Sequence, residues 1–237
     1  MNPGEHTSLN AIHAAVPSFC PQSHGHGPLS SSPGKYFLVT DFLDLSGYST
    51  STSTSERGTG LSLAAKLAKL HTTPAPSEKF GFPVSTCCGS TVQDNSFKDS
   101  WAEFYANNRL RHILQAGVKR NGSDPELSEL VEKTASRVVP RLIGEETIGK
   151  VVAVVIHGDL WSGNHGRGRN VTKGEDGGVE EVVFDPSSVY GHSEYELGIM
   201  KMFGGFEGGA FWKEYEKVVP KGEPVGEWED RVRLYEL

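Results

Sequence analysis

The chain has 237 residues, 36% hydrophobic and 22% charged, with a formal charge of −7, enough for one large or two small domains around a real core. The acidic balance argues against a nucleic-acid partner, no apolar run reaches the roughly 20 residues of a membrane helix, and the start has neither the basic flank nor the apolar stretch of a signal peptide. The three cysteines, Cys20, Cys87 and Cys88, offer no disulfide framework and no zinc spacing, so a reducing, cytoplasmic setting is expected.

Residues 8–16 place Leu9, Ile12 and Val16 at helical spacing, and Pro17 ends the segment. Residues 20–34 repeat Pro, Gly, Ser and His and read as an irregular connection, His24 and His26 included. Residues 35–43 are aromatic and β-branched, hence a strand. The Ser/Thr run over 47–60 reads as a mobile surface loop. A helix is expected over 61–71, with Leu61, Ala64, Ala65, Ala68 and His71 on one face, and irregular chain over 72–91. Phe97, Trp101, Phe104 and Tyr105 mark an amphipathic helix running to about Gln115, and Pro125 opens another whose stripe reaches Leu142, with Pro140 ending or bending it.

Two apolar runs follow, 151–156 and 179–184. They read as a hairpin joined by the glycine-rich, charged segment 166–178, with a floppy tip. Helices are then expected over 193–203, 211–218 and 228–237, with glycines breaking the chain at 204–209.

The first run stops at His157-Gly158-Asp159, and Asn164 follows five residues after the Asp; the second ends on Phe184-Asp185-Pro186. Phosphoryl transfer needs a carboxylate at the attacking hydroxyl and oxygen ligands for magnesium, a hard cation. Asp159 supplies the first, and Asn164 and Asp185 the second. Turn formation after a strand would also account for Asp and Asn, but two acid-bearing strands together favour catalysis. A metal-dependent phosphoesterase using Asp159 and Asp185 is disfavoured because no histidine-rich cluster accompanies them.

The stretches 157–164 (HGDLWSGN), 184–186 (FDP), 190–197 (YGHSEYEL) and 202–206 (MFGGF) resemble the fructosamine/ketosamine 3-kinase family, as do 80–89 (FGFPVSTCCG), 101–106 (WAEFYA) and the helix opening Gly4-Glu5-x-x-Ser8-Leu9. Aminoglycoside-phosphotransferase-like kinases share the HGD, Asn and Asp core but not the other stretches. The resemblance implies an α+β, protein-kinase-like fold, with residues 1–45 from the smaller lobe and 46–237 forming the helical, catalytic lobe. It implies ATP- and Mg2+-dependent phosphorylation of the 3-hydroxyl of ribulosamines or fructosamines, on protein lysines or as small ketosamines. Asp159 would be the base, Asn164 and Asp185 the metal ligands, and Trp161 and His192 walls of the sugar site. Asp41, Phe42 and Leu43 would form the hinge that meets adenine, and Glu5 the helix glutamate that pairs with the ATP-binding lysine.

The sequence departs from that pattern at its ends. The Gly-rich phosphate loop and the lysine strand belong upstream of Gly4-Glu5, and the family continues beyond Leu237. The expectation is therefore a chain lacking most of the smaller lobe, with little or no turnover, and the alternative is a non-catalytic remnant.

Overall fold

The structure is a computed structural model that describes residues 3–46, 60–173, 178–206 and 209–237; the expected loop over 47–60 and the tip of the 166–178 segment fall largely outside them. Helix α1 (Gly4–Ala15) starts a turn earlier than the apolar spacing suggests, because the Thr7 N–H already closes onto the Pro3 carbonyl at 3.0 Å. It buries Leu9 and Ile12 and keeps Glu5 in its first turn.

The segment expected to be irregular contains strand β1 (Ser23–Pro28), antiparallel to β2 (Tyr36–Thr40). Its glycines and histidines conceal a strand because ladder bonds use only the backbone, which needs no β-favouring side chain. His24 is tied to the hinge, its Nε2 2.8 Å from Asp41 Oδ1. A short strand β3 (Leu43–Asp44) follows.

Helix α2 (Leu63–Thr72) is capped by Ser62, whose Oγ accepts from the Ala65 N–H at 3.1 Å. It carries Leu67 and Leu70 into the core, each worth about 1.5–3 kcal/mol when removed from water. Its Lys66 is fully buried and donates to the Ser18 and Glu181 carbonyls, both at 2.8 Å, and to Glu180, so it pins the helix to the sheet. The chain to Thr91 is mostly irregular as expected, apart from a small hairpin of β4 (Cys87–Cys88) and β5 (Thr91–Val92).

Helix α3 (Trp101–Phe104) begins at its Ser100 cap and leaves Phe97 outside; it widens through a π-turn at Tyr105–Arg111 into α4 (His112–Asn121). Asp124 caps α5 (Pro125–Lys133), accepting the Leu127 N–H at 3.0 Å. Pro140 neither ends nor sharply breaks the path. A second π-turn at Thr134–Val138 re-routes the bonding before it, and α6 (Val139–Ile143) carries on. A short helix α7 (Glu145–Ile148) leads to the first of the two apolar runs, 151–156.

The expected hairpin is partnered differently. Strand β6 (Val154–Ile156), from the first apolar run, pairs with β9 (Val189–Gly191). The hairpin forms instead between β7 (His165–Asn170) and β8 (Glu180–Val183), so the glycine-rich segment is itself half strand. Gly168 permits this, because a Cβ there would lie 2.5 Å from the Asp44 carbonyl oxygen as β3 joins the other edge of β7. Helices α8 (Glu194–Phe203), α9 (Gly209–Glu216) and α10 (Trp228–Tyr235) complete the lobe.

One continuous core joins α1 (Leu9, Ile12), α2 (Leu67, Leu70), β6 (Val155, Ile156) and α8 (Leu197, Met200). The front residues therefore pack on the helical lobe itself. Beside them Trp101, Tyr105, Tyr195 and Tyr235 form an aromatic cluster.

Candidate active site

Strand β6 delivers His157, Gly158 and Asp159 to a loop, and β8 delivers Phe184 and Asp185 beside it. Three backbone bonds or bridges stitch the two segments together. The Phe184 N–H donates to the Asn164 carbonyl at 3.0 Å, the Ser187 N–H to the His157 carbonyl at 2.9 Å, and His157 Nε2 lies 3.0 Å from the Phe184 carbonyl. His157 Nδ1 accepts from the Asp159 N–H at 3.3 Å, so Nε2 carries the proton that meets Phe184. Burial holds the His157 pKa below its ordinary value, which suits this neutral tautomer.

Gly158 is required at its position. Its φ is +81°, and a Cβ would meet the Ser187 carbonyl oxygen at 2.1 Å. Asp185 has a φ of 54°, an uncommon conformation for a residue with a side chain, and it turns the chain as β8 ends.

Beneath the loop lies a carboxylate to which the sequence reading assigned no role. Glu196, on α8 and fully buried, accepts the His157 N–H at 2.5 Å and the Gly158 N–H at 3.1 and 3.2 Å. A signal was present: Glu196 shares the buried face of α8 with Met200, and a buried charge implies a partner.

Asp159 is clamped from two sides. Asn164 Nδ2 donates to its carbonyl at 2.8 Å and to Oδ2 at 3.2 Å, while Cys88 Sγ lies 3.8 Å from Oδ1. Burial first, then the negative charge of Glu196, push the Asp159 pKa up to about 6. A carboxylate near neutrality is matched to accepting a proton at physiological pH.

Asn164 spends its amide nitrogen on Asp159, which leaves its oxygen as the ligand atom. Glu5 comes to Asp185 rather than to a lysine. Burial, followed by the charge of and a hydrogen bond with Asp185, raises the Glu5 pKa. Among the described residues no ion pair neutralises these two acids. Crowded oxygen donors with excess negative charge fit a hard divalent cation, so Asn164 and Asp185 are suited to hold magnesium.

Of the expected hinge residues, Leu43 lies on the β3–β7–β8 sheet, and Asp41 and Phe42 lead into it. Asp41 accepts from the Gln22 N–H at 3.0 Å, from Asn170 Nδ2 at 2.9 Å and from His24. Phe42 is exposed, and both its backbone groups are engaged, by Thr172 Oγ1 and the Val171 N–H. Leu43 faces Asn170 with the Val171-to-Phe42 bond flanking the pair, so its own N–H and C=O point away from β7. Unlike those of Phe42, the backbone N–H and C=O of Leu43 are not engaged by the β7 segment.

Trp161 and His192 part company. The Trp161 ring covers Gly163, lies tilted by 54° against Phe203 with centroids 6.0 Å apart, and remains 40% exposed at the edge of the loop. His192 does not join this group. Its Nδ1 lies 3.0 Å from the Tyr235 hydroxyl, which itself accepts from Trp101 Nε1 at 2.7 Å. It borders a cavity of about 370 Å³ with His71, Glu194 and Arg231, whose lining does not include Asp159. Burial lowers the His192 pKa to about 4. Because the folded value lies below the unfolded one, His192 favours the folded state fully above pH 6.5 and progressively less as pH falls toward 4. Urea melts from pH 7 to 4.5 are expected to show a loss of about 2 kcal/mol from this group, and His192→Gln is expected to flatten that slope.

A β-hairpin and hinge strand set on a mostly helical lobe, with an Asp–Asn–Asp loop between them, define a protein-kinase-like fold. The sequence matches the fructosamine kinase family over residues 1–237. It is 38% identical over 160 residues to mouse ketosamine-3-kinase, covering 68% of this chain and 46% of that one. It is 31% identical over 232 residues to the chloroplastic protein-ribulosamine 3-kinase of Arabidopsis thaliana, covering 98% and 64%. The crystal structure of a Thermobifida fusca protein assigned as a fructosamine-3-kinase superposes with a TM-score of 0.73 at 26% identity, covering 98% of this chain and 69% of that one. The chain belongs to the fructosamine kinase family. It spans about half to two thirds of the length of these curated relatives.

Proposed function

We propose that this chain carries the acceptor and metal side of an ATP-dependent ketosamine 3-kinase, acting on ribulosamines or fructosamines, free or on protein lysines. The observation that carries this reading is the Asp159 carboxylate, near neutral pKa and clamped beside Asn164 and Asp185 on a loop anchored by Glu196. Asp159 takes the proton of the sugar 3-hydroxyl as that oxygen bonds to the γ-phosphorus of ATP and the bond from that phosphorus to the bridging oxygen breaks, releasing ADP. Asn164 and Asp185 would hold magnesium, which would offset charge on the transferring phosphoryl group. Trp161 offers an apolar face to sugar C–H groups, and Leu43 seats the adenine. Residues 1–45 act as the part of the smaller lobe that carries the hinge and Glu5. The thiols of Cys87 and Cys88, side by side and not in a disulfide, suit a cytoplasmic setting. No helix among the described residues is long and apolar enough to cross a membrane.

The test is ADP release from MgATP with fructosyl-lysine or ribulosyl-lysine, against Asp159→Asn. Turnover that falls at least about 100-fold on substitution supports Asp159 as base; unchanged turnover removes it from that role. The same variant has a stability signature. With its folded pKa raised above the unfolded value, ionised Asp159 opposes folding above pH 6 and ceases to do so below about 4. Asp159→Asn is therefore expected to gain about 1–2 kcal/mol at pH 7.5, allowing for partial solvent screening, and nothing at pH 3.5.

A second reading is favoured by Glu5 facing Asp185 where the family places a lysine. A chain with that pair uncompensated binds nucleotide weakly and turns over little. Absent turnover together with weak MgATP binding by calorimetry supports this reading, and robust turnover removes it.

A further inference from the structure

The 84–95 segment brings a thiol to the catalytic carboxylate, and a buried polar network holds it there. The Gln93 N–H donates to the Thr86 carbonyl at 2.9 Å, closing the base of the β4–β5 hairpin. Gln93 Oε1 accepts from Thr86 Oγ1 and from Ser187 Oγ, each at 3.0 Å, which ties the hairpin to the chain just beyond Asp185. Asn95 Nδ2 donates to Thr86 Oγ1 at 2.9 Å and to the Val84 carbonyl at 3.0 Å, and buried Arg109 donates to Asn95 Oδ1 at 2.9 Å and to the Asp94 carbonyl at 2.9 Å. A hairpin fixed by this many buried bonds has little freedom at its tip.

On that tip Cys87 is exposed, while Cys88 is partly buried with Sγ 3.8 Å from Asp159 Oδ1. Asn164 already holds Oδ2 from the other side. We propose that Cys88 is a positioning residue whose thiol donates to Asp159 Oδ1, so that the carboxylate is held between two donors and aimed at the acceptor hydroxyl. The proposal rests on the reading of Asp159 as the base, and it assigns the β4–β5 hairpin as the acceptor-side wall of the site. A thiol suits the place because it is a weak donor: it fixes orientation while leaving the carboxylate free to accept a proton. Burial and the nearby Asp159 charge hold the Cys88 thiol above its usual pKa, in keeping with a protonated donor.

The test uses the neighbouring cysteine as an internal control. Iodoacetamide labelling at pH 8, followed residue by residue by mass spectrometry, is expected to modify Cys88 more slowly than Cys87. Asp159→Asn is expected to speed Cys88 about 3- to 10-fold by removing the adjacent charge, with Cys87 unchanged. In the infrared, the S–H stretching band that Cys88→Ser removes is expected to shift on Asp159→Asn. Equal labelling of the two cysteines, or a Cys88 rate and S–H band indifferent to Asp159→Asn, overturns the proposal. Fructosyl-lysine provides the separate arm. It is expected to protect Cys88, and by calorimetry Cys88→Ala is expected to bind it about 5-fold more weakly, with Cys88→Ser restoring affinity. If Asp159→Asn changes Cys88 as expected but fructosyl-lysine neither protects nor binds, the thiol–carboxylate contact stands and the ketosamine reading fails. If fructosyl-lysine binds equally to parent, Ala and Ser variants, the positioning role is overturned.

Discussion

Glu196→Ala is expected to cost roughly 2–6 kcal/mol of folding stability, because the His157 and Gly158 N–H groups lose their acceptor inside the core. Each orphaned buried N–H carries a penalty of about 1–3 kcal/mol. Glu196→Gln keeps an acceptor oxygen and is expected to lose less. Urea denaturation measures the total, and hydrogen exchange localises it, with Glu196→Ala expected to speed exchange at the Gly158 amide more than at the amides of β6. A loss below about 1 kcal/mol would show that the loop is held chiefly by its bonds to the 184–187 segment.

The second large effect lies at the other acid of the same helix. Glu194 and Arg231 form a buried two-pronged pair, with Nε to Oε2 at 2.7 Å and Nη2 to Oε1 at 3.0 Å, and Arg231 also holds the Gly222 and Pro224 carbonyls at 2.7 and 3.1 Å. Arg231→Met is expected to destabilise by about 3–5 kcal/mol, since it leaves Glu194 buried without its cation. The double variant Glu194→Leu with Arg231→Met removes the unpaired charge and is expected to recover part of that loss. The Gly222 N–H, which donates to Glu194 at 3.1 Å, still forfeits its acceptor. Chemical denaturation of the two single variants and the double gives the coupling, and strict additivity would mean that the pair contributes nothing beyond its two members.

The helices were legible in the sequence because their apolar stripes are long and Pro125 marks the start of one of them, but the helix expected from Leu61 begins only at Leu63, after its Ser62 cap, and leaves Leu61 exposed. The loop was legible because His157, Gly158, Asp159 and Asn164 lie within eight residues, so local spacing carries the geometry. What escaped was non-local. Strand β9 has three residues, too few for an alternating pattern to show that β6 pairs with it rather than with the next apolar run. Strand β1 is written in glycine and histidine, so only its ladder with β2 reveals it. Glu196 touches the loop from 39 residues away, and no periodicity says which backbone amides a buried acid will meet. His192 sits in a stretch that marks the family, yet it packs against Tyr235 rather than beside Asp159.

The sheet β3–β7–β8 places Leu43 opposite Asn170 at one end of β7, and Asn164 adjoins its other end. The six residues of that strand, at about 3.3 Å each, set a span of roughly 20 Å. Leu43 and the 159–164 loop therefore sit at opposite ends of one strand, and the distance between them is written in strand length rather than in loop conformation. On the proposed reading, a phosphate donor seated on Leu43 would be selected by how far it reaches along β7, and inserting residues into that strand would change which donor fits without altering a single ligand atom.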